Sequence, residues 1–328
     1  MTTPADGWRP SCSLQMLYIR SEMLRAIREL FREHCCLEVE TPCLSRDIVL
    51  DAWLEPFSVD VGDDRLFLQT SPEAHMKRLL AADVGSIFQI SRVFRQGECG
   101  DRHNSEFTMI EWYGVGSTWL EQLRFTESLV RTAIAAAAAV TGRDIADQWC
   151  LEPFRKTTYA AAFHRTFGID VFACSGRQLV EVARHYGVVL PANLREDGID
   201  DILNVMLAVA IEPQLGGEDA GGKLHPEYLC DYPPSQSALA VVSDSHPNVA
   251  RRFELYIQGL ELCNGYQELT DVAELQRRDS FQNRRRADVQ SQQLPGSPRL
   301  LAAMQSGLPD CSGVALGFDR LVMLATER

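Results

Sequence analysis

One turn of the sequence, residues 95–105, concentrates side chains that can bind phosphate: Arg95, Arg102 and His103. Apolar, β-prone runs precede and follow the turn, which predicts a β-hairpin. Guanidinium groups offer a rigid fork of donors that fits phosphate oxygens, and paired strands would hold them at a fixed spacing. A solvated polar loop would explain any one of these residues alone. The set, with Phe107 placed to cover a base, favours a nucleoside triphosphate site.

Three glutamates recur at intervals of seven residues in the last third of the chain: Glu254, Glu261 and Glu268. A continuous helix would present them as a solvated stripe, but Gly259 and the pair Asn264 and Gly265 are helix breakers. On a hairpin, acids at such places can converge and bind Mg²⁺ through oxygen ligands. The spacing is therefore compatible with a magnesium site among these glutamates.

Ser71, Pro72 and Glu73 form a strong helix start, with a capping serine, a proline at the first helical position and an acid in the first turn. The commoner role of such an acid is to complement the helix dipole. Its alternative role is to bind an ammonium group at the mouth of a pocket.

A run of small residues at 313–319 is typical of a strand, and it turns into a terminal helix at Arg320. Glycines in this run would let a ligand lie directly on the backbone. Arg320 at the helix start could then meet a phosphate or the face of a nucleobase. A glycine-rich run alone is weak evidence for such a site.

The elements that must position these residues follow from the hydrophobic pattern. An amphipathic helix is predicted at residues 14–36 and leads into a short strand that ends at Pro42, either as plain core structure or as a dimer-forming element. We predict further strands at residues 50–60, 66–69, 228–232, 252–257 and 259–263. Helices are predicted from residue 71 and at 118–140, and a charged, exposed helix at 270–290.

Residues 150–225 are expected to form a mostly helical insertion, with helices at 157–167, 177–186 and 199–211. Residues 1–13 are expected to be an N-terminal arm, and residues 14–328 a single catalytic domain. A chain of 328 residues is long enough to bury the core of such a domain.

Composition limits the class of protein. The net charge of −13 argues against a protein that mainly grips long nucleic acid. The ten cysteines include no CxxC pair and no zinc spacing with histidine, so reduced thiols in the cytosol are expected. The sequence opens without a signal peptide, and no apolar run approaches the length that spans a membrane. We expect a soluble cytoplasmic protein.

Three motifs, taken in order, resemble the signatures of class II aminoacyl-tRNA synthetases. They are the helix and strand that end at Pro42, the hairpin FR…RHNSEF and the glycine strand GVALGFDR. The strings SPEAHMKRL, RHNSEFTMIEWY and ELCNGYQELTD are similar to those of the lysyl-tRNA synthetase branch. The resemblance covers the chain from Leu14 onward and implies an α+β fold, with an antiparallel sheet flanked by helices and a mostly helical insertion.

The lysyl enzymes carry an OB-fold anticodon-binding domain before the first motif, where this sequence has only about thirty-five residues, so we expect no such domain. One enzyme reading is a truncated synthetase that still charges tRNA or another acceptor. The other is the paralogous ligase family that attaches (R)-β-lysine to a lysine of elongation factor P, which the acidic charge favours. A non-catalytic regulator is the third reading, although Arg95 and Arg320 are both retained.

The resemblance implies residue roles by position. Arg95 and Arg320 would be catalytic, clamping the phosphates of ATP. The ATP site would comprise Arg95, Glu98, Arg102, His103, Asn104, Phe107, Glu261, Leu262, Gly317 and Arg320, with Mg²⁺ on Glu254 and Glu261. The amino-acid pocket would comprise Ser71, Pro72, Glu73, Glu111, Tyr113, Asn264, Tyr266, Glu268 and Ala315.

Two positions refine these roles. The family places a glutamate two residues after the motif arginine, where this chain has Gly97, so Glu98 is assigned to the adenine amino group. Ala315 replaces the glycine of lysyl-tRNA synthetases and matches the ligase family. Its methyl group would narrow the pocket behind the substrate α-carbon and penalise an α-amino group. Class II cores are usually symmetric dimers, so we also expect a homodimer through residues 14–42. We expect no stable tRNA binding, because the anticodon-binding domain is missing and the chain is acidic.

Overall fold

The computed structural model describes residues 8, 10–100, 102–142, 149, 152–192, 194 and 198–326. Its helices are α1 (Leu14–Glu33), α2 (Glu73–Leu80), α3 (Trp119–Thr141), α4 (Tyr159–Phe167), α5 (Gly176–His185), α6 (Ile199–Met206), α7 (Val272–Asp288), α8 (Pro298–Gly307) and α9 (Phe318–Thr326). Its strands are β1 (Leu37–Glu38), β2 (Leu44–Ser45), β3 (Ser58–Val61), β4 (Asp64–Leu68), β5 (Ile87–Phe94), β6 (Glu106–Val115), β7 (Arg155–Thr158), β8 (Glu227–Tyr232), β9 (Ala250–Ile257), β10 (Leu260–Gln267) and β11 (Cys311–Gly317).

Eight strands form one sheet in the order β1-β5-β6-β11-β10-β9-β8-β7. The six inner strands are antiparallel, whereas the edge strands β1 and β7 pair in parallel with their neighbours. A second sheet, β2-β4-β3, is small. The antiparallel sheet flanked by helices confirms the α+β fold predicted from the motifs.

One face of the large sheet is covered by α1, α3 and α9. Helix α1 starts where the Ser13 side chain accepts a hydrogen bond from the Met16 amide, and it buries an i, i+4 stripe that includes Met23 and Phe31. The Phe31 ring stacks on Phe88 of β5 with 4.1 Å between centroids. Full burial of one such side chain stabilises the fold by about 1.5–3 kcal/mol. This face is the main hydrophobic core.

Successive side chains of a strand point to opposite faces of a sheet. In the central strands, the side chains that point away from the main hydrophobic core are mainly polar. Helices α2, α7 and α8 lie on that side and share a small apolar cluster of Ala74, Leu275, Leu300 and Met304. The space between this cluster and the polar face holds the cavity described below.

The predicted helices at 157–167, 177–186 and 199–211 correspond to α4, α5 and α6, the last continued by a π-helical turn at Leu207–Ile211. They build an apolar cluster of their own around Tyr159 and Phe163. This cluster reaches the sheet through Leu229 and Tyr256. Leu229 is paired through Glu254 with Asn264, so it lies on the same face of the sheet as the polar side chains of the central strands. The segment therefore packs on that face, at the β8 and β9 side of the sheet.

The strand predicted at residues 50–60 is wrong over its first half. The Asp51 carboxylate accepts hydrogen bonds from the Trp53 and Leu54 amides, which forms a turn, and only β3 is extended. Strand β10, by contrast, continues through Asn264 and Gly265 beyond its predicted end. A Cβ at Gly265 would lie 2.3 Å from the Phe253 ring, so the strand needs glycine there.

The helix predicted at residues 270–290 is present as α7, but the prediction that it is exposed fails for its inward side. Arg286 of α7 is fully buried. Its guanidinium donates to the carbonyl oxygens of Asp51 and Leu54 and pairs with Glu55. Charged residues of α7 therefore donate hydrogen bonds to backbone carbonyl oxygens. The hydrophobic pattern of the sequence does not predict such buried polar contacts. Among the described residues, no helix is long and apolar enough to cross a membrane.

Candidate active site

A cavity of about 500 Å³ lies on the polar face of the central strands. The predicted residues that line it are Ser71, Glu73, Arg95, Glu98, Arg102, His103, Asn104, Phe107, Glu111, Tyr113, Glu261, Leu262, Asn264, Tyr266, Glu268, Ala315, Gly317 and Arg320. Pro72 and Glu254 are buried and do not line it. The volume is that of a small-molecule site.

One end of the cavity, which we call the cationic end, carries Arg95, His103 and Arg320. The Arg95 guanidinium lies 5.1 Å from the centroid of the Phe107 ring, and its Nη1 lies 3.7 Å from Glu98 Oε1. The buried Arg95 Nε has no hydrogen-bond partner among the described residues. An orphaned donor of this kind fits an anionic ligand above Phe107.

Arg320 crosses from α9 to the hairpin. Its Nη1 donates to the Glu261 carbonyl oxygen at 2.6 Å, and its Nη2 lies 2.6 Å from His103 Nε2. Burial lowers the pKa of His103, and Arg320 lowers it further, so the ring is neutral and accepts this hydrogen bond. The motif residues at 95–107 and at 320 thus meet, as the sequence predicts.

The two predicted metal ligands occupy different layers. The Glu254 carboxylate accepts hydrogen bonds from the Tyr232 and Tyr256 hydroxyls at 2.5 and 2.6 Å and pairs with Arg252. Glu261 faces the cavity, and burial together with Glu254 raises its pKa to about 7. Within the described ranges, no group of three acidic, histidine or cysteine residues is arranged around a metal.

Magnesium fits this arrangement if the protein supplies only one or two of its ligands. It binds proteins through one or two carboxylates and completes its shell with phosphate oxygens and water. Burial raises the pKa of Glu261 most and the charge of Glu254 raises it further, and a divalent cation would relieve that repulsion. Glu261 is therefore suited to direct contact, with Glu254 behind it.

The other end of the cavity, which we call the acidic end, carries Glu73, Glu111 and Glu268. Lys77 of α2 lies among them, with its Nζ 2.5 Å from Glu73 Oε1 and 2.6 Å from Glu268 Oε2. Burial opposes its charge, yet the carboxylates of Glu268 and Glu73 raise the Lys77 pKa. Three acids against one internal cation leave this end negative when all are ionised.

Glu111 is the acid that the protein leaves incompletely paired. Its Oε1 accepts from the Tyr113 hydroxyl at 2.7 Å, while the buried Oε2 has no partner in the described part of the chain. Burial, and next the charge of Glu73, raise the Glu111 pKa to about 8. Asn264 Oδ1 is also buried without a partner. A ligand with ammonium donors would satisfy both atoms.

Strand β11 forms the floor between the two ends. Ala315 pairs with Glu111 on one side and with Asn264 on the other, so its methyl group lies beside both unpartnered atoms. A Cβ at Gly313 would lie 2.4 Å from Glu268 Oε1, which explains that glycine by protein packing. A Cβ at Gly317 would meet only ordinary contacts at 3.6–3.9 Å. Packing within the protein therefore does not itself require glycine at position 317, where the Arg320 side chain lies in contact.

Sequence reasoning missed Lys77 and the cavity-lining residues of α7, which are Arg278, Asp279 and Gln282. Lys77 follows Glu73 by four residues, a spacing that places both on one side of a helix. Arg278, Gln282 and Arg286 share the same spacing, a polar stripe that could have indicated an inward face. Arg278 Nη1 donates to the carbonyl oxygens of Ala238 and Ala240 and so fixes another wall of the cavity.

The chain belongs to the family of class II tRNA synthetases of the D, K and N group, whose model matches residues 7–328. Within that class, it is similar to curated proteins named elongation factor P–(R)-β-lysine ligase. Those from Salmonella arizonae, Salmonella dublin and Salmonella paratyphi B are each 40% identical over 324 residues, which cover 97% of this chain and 93% of the relative.

Proposed function

We propose that this chain is an ATP-dependent, AMP-forming ligase that activates (R)-β-lysine as an adenylate and transfers it to a lysine side chain of elongation factor P. The observation that carries the proposal is the nearly full-length similarity to ligases of that name. The cavity agrees with it, because a cationic end suited to triphosphate adjoins an acidic end suited to a diamino acid.

The cationic end supports the activation step. Arg95 is placed to bind the α-phosphate while the substrate carboxylate attacks phosphorus and pyrophosphate leaves. Arg320 and His103 are placed for the outer phosphates, and Phe107 for the adenine ring. Positioning and cation clamps supply the rate enhancement, so no side-chain nucleophile is needed. Magnesium held by Glu261, with Glu254 behind it, would neutralise phosphate charge.

The acidic end supports a substrate with two ammonium groups. The charges of Glu73, Glu111 and Glu268 sum to −3 and that of Lys77 is +1, so the fully ionised end has a net charge of −2. The two ammonium groups of β-lysine match this charge. The unpartnered atoms of Glu111 and Asn264 mark where donors are required. A neutral amino-acid side chain would leave these groups unsatisfied.

The exposed apolar residues and the net charge of the chain bear on its partners. We infer a homodimer, because α1 and β1 leave Leu14, Tyr18 and Leu37 more than half exposed at the predicted dimer element. A single monomer mass by light scattering at micromolar concentration would contradict it. We also propose that tRNA is not a stable ligand, because the net charge of −13 opposes binding to its backbone.

The test of function is pyrophosphate exchange with (R)-β-lysine and α-lysine compared side by side. We expect ATP-dependent exchange that strongly prefers (R)-β-lysine, and a mass increase of one β-lysyl group on elongation factor P. Preference for α-lysine together with aminoacylation of tRNA would favour the synthetase reading. Absence of exchange with either isomer would favour a non-catalytic regulator.

A further inference from the structure

Asp279 is a cavity-lining acid that the proposed activation step does not use. It lies on α7, on the side of the cavity opposite the strand floor, and near the partly exposed segment 51–54. Its neighbours on the inward side of α7 all have partners. Arg278 binds Glu274 and two carbonyls, and Gln282 accepts from the Ala52 amide at 2.9 Å.

Asp279 itself has no hydrogen bond or ion pair within the part of the chain that the structure describes. The charge that acts on it is of the same sign. Burial first, and then the carboxylate of Glu73, raise the Asp279 pKa to about 6. A half-buried, unpaired carboxylate costs stability, so its retention in a cavity wall calls for a ligand.

The position of Asp279 favours a contact with the amine that accepts the β-lysyl group over a contact with the amino acid that is activated. The amino-acid ammonium groups are matched by acids that rise from the strand floor and α2, with Glu111 and Asn264 still unsatisfied there. Asp279 lies across the cavity from that floor, next to the wall that carries Trp53, a residue that is 62% exposed. Asp279, Trp53 and the strand floor line the same cavity, so an amine bound beside Asp279 would share that cavity with an adenylate on the floor.

We propose that Asp279 is a catalytic residue of the transfer half-reaction, which binds the ε-ammonium of the acceptor lysine and removes its proton. This inference rests on the proposed function. The free amine then forms a C–N bond with the acyl carbon of the β-lysyl adenylate. The C–O bond to the phosphate breaks, the electron pair leaves with AMP, and the second nitrogen proton passes to solvent.

A base with a pKa near neutrality is suited to this task, because it is largely ionised at pH 7 and still takes up a proton readily. The same carboxylate is not required for activation, in which a carboxylate attacks phosphorus. The two half-reactions of one enzyme should therefore respond differently to its removal. This difference separates a role toward the acceptor from a role in amino-acid binding or folding.

The experiment compares wild type, Asp279→Asn and the matched control Asp288→Asn, which changes an exposed acid of the same helix. We expect Asp279→Asn to leave pyrophosphate exchange with (R)-β-lysine within about twofold of wild type. Transfer to elongation factor P should fall by roughly a hundredfold, the scale of losing one general base. The Asp288→Asn variant should keep both rates.

Hydroxylamine tests the chemistry separately from docking, because it is largely unprotonated at neutral pH and needs no base. Hydroxamate formation from the adenylate should be equal in wild type and Asp279→Asn. A parallel fall of exchange and transfer would overturn the proposal and place Asp279 in the amino-acid pocket or the core. Unchanged transfer would also overturn it. If wild type shows no exchange or transfer, the proposed function itself fails, a distinct result.

Discussion

The two ends of the cavity treat charge in opposite ways. At the cationic end, Arg95 keeps a buried donor without a partner and Arg320 rests on a neutral histidine and a carbonyl, so positive charge is left for a ligand. At the acidic end, all three acids line the cavity, but Lys77 is buried between Glu73 and Glu268 and neutralises part of their charge. The cationic end therefore retains positive charge for a ligand, whereas Lys77 already neutralises part of the charge at the acidic end.

This difference follows from depth. The arginines come from a hairpin and a helix start, where their charge remains partly hydrated, with side chains about a quarter exposed. Glu111, Glu268 and Lys77 are each exposed by only 2%. Unpaired charge at that depth would be costly, which explains why an internal ammonium accompanies the acids. The comparison predicts that removing a cation damages folding at the acidic end and chemistry at the cationic end.

The strongest test of the comparison is Lys77→Met. The substitution leaves Glu73 and Glu268 without their shared cation, and we expect a loss of about 3–5 kcal/mol in the free energy of unfolding at pH 7. Chemical denaturation measures it, with exposed Lys156→Met as the matched control. The deficit should shrink as the pH falls, because the two carboxyls then take up protons. A variant as stable as the control would break the comparison.

Arg95→Ala should have the opposite profile. We expect adenylate formation to fall by at least about a hundredfold, the usual scale of losing one transition-state charge partner, with little change in the unfolding free energy. Pyrophosphate exchange measures the first quantity and denaturation the second. Arg92→Ala, which removes a half-exposed arginine of β5, is the control. Normal exchange in Arg95→Ala would mean that the hairpin is not the ATP site.

Sequence was sufficient where function depends on local motifs. The hairpin, the glycine strand and α2 each bring their own geometry, and the strand pairing of β6, β11 and β10 then aligns them. The serine cap predicted for α2 is wrong, because Pro72 holds the N-cap position, where no side chain forms a cap hydrogen bond. It was insufficient where polar residues are buried by distant partners. The burial of Arg286 depends on the carbonyls of Asp51 and Leu54, which lie more than 230 positions away in sequence. No local pattern encodes such contacts.

The glutamates spaced by seven show the same limit within one hairpin. A register shift between Glu261 and Cys263 turns β10, so Glu254 pairs with Asn264 while Glu261 pairs with Tyr256. Glu268 lies beyond the end of β10 and pairs with Lys77 instead. The interval in sequence is regular, but the three carboxylates have different partners. The bulge in β10 and the surrounding tyrosines determine which partner each carboxylate has. The seven-residue interval in sequence does not reveal either feature.

Ala315→Gly tests substrate selectivity at the boundary between the cationic and the acidic end. If the methyl group occupies the space of an α-amino group, its removal should raise the kcat/KM for α-lysine relative to (R)-β-lysine by about ten- to a hundredfold, since one methyl is worth roughly 1–3 kcal/mol. The ATP dependence should not change. The ratio is decisive, because a general loss from loosening β11 cancels in it. An unchanged ratio would assign selectivity to the placement of Glu73 and Glu268.

The smallest effect concerns the proton on Glu111. Its pKa of about 8 in the free protein means that the carboxyl is mainly protonated at pH 7, and a bound ammonium must displace that proton to form an ion pair. Binding of (R)-β-lysine should therefore release protons at pH 7. The dissociation constant attributable to this group should rise about tenfold for each unit that the pH falls below 8, and level off above it.

Isothermal titration in buffers of different ionisation enthalpy measures the number of protons released, and Glu111→Gln supplies the comparison. Glu268, whose pKa burial raises to about 7, adds a smaller release because Lys77 already favours its charged form. We therefore expect the Gln variant to lose most of the release while retaining weaker binding. Equal proton release in both proteins would mean that Glu268 carries the linkage. The acidic end would then not be partly neutralised as proposed, because Lys77 would leave Glu268 protonated.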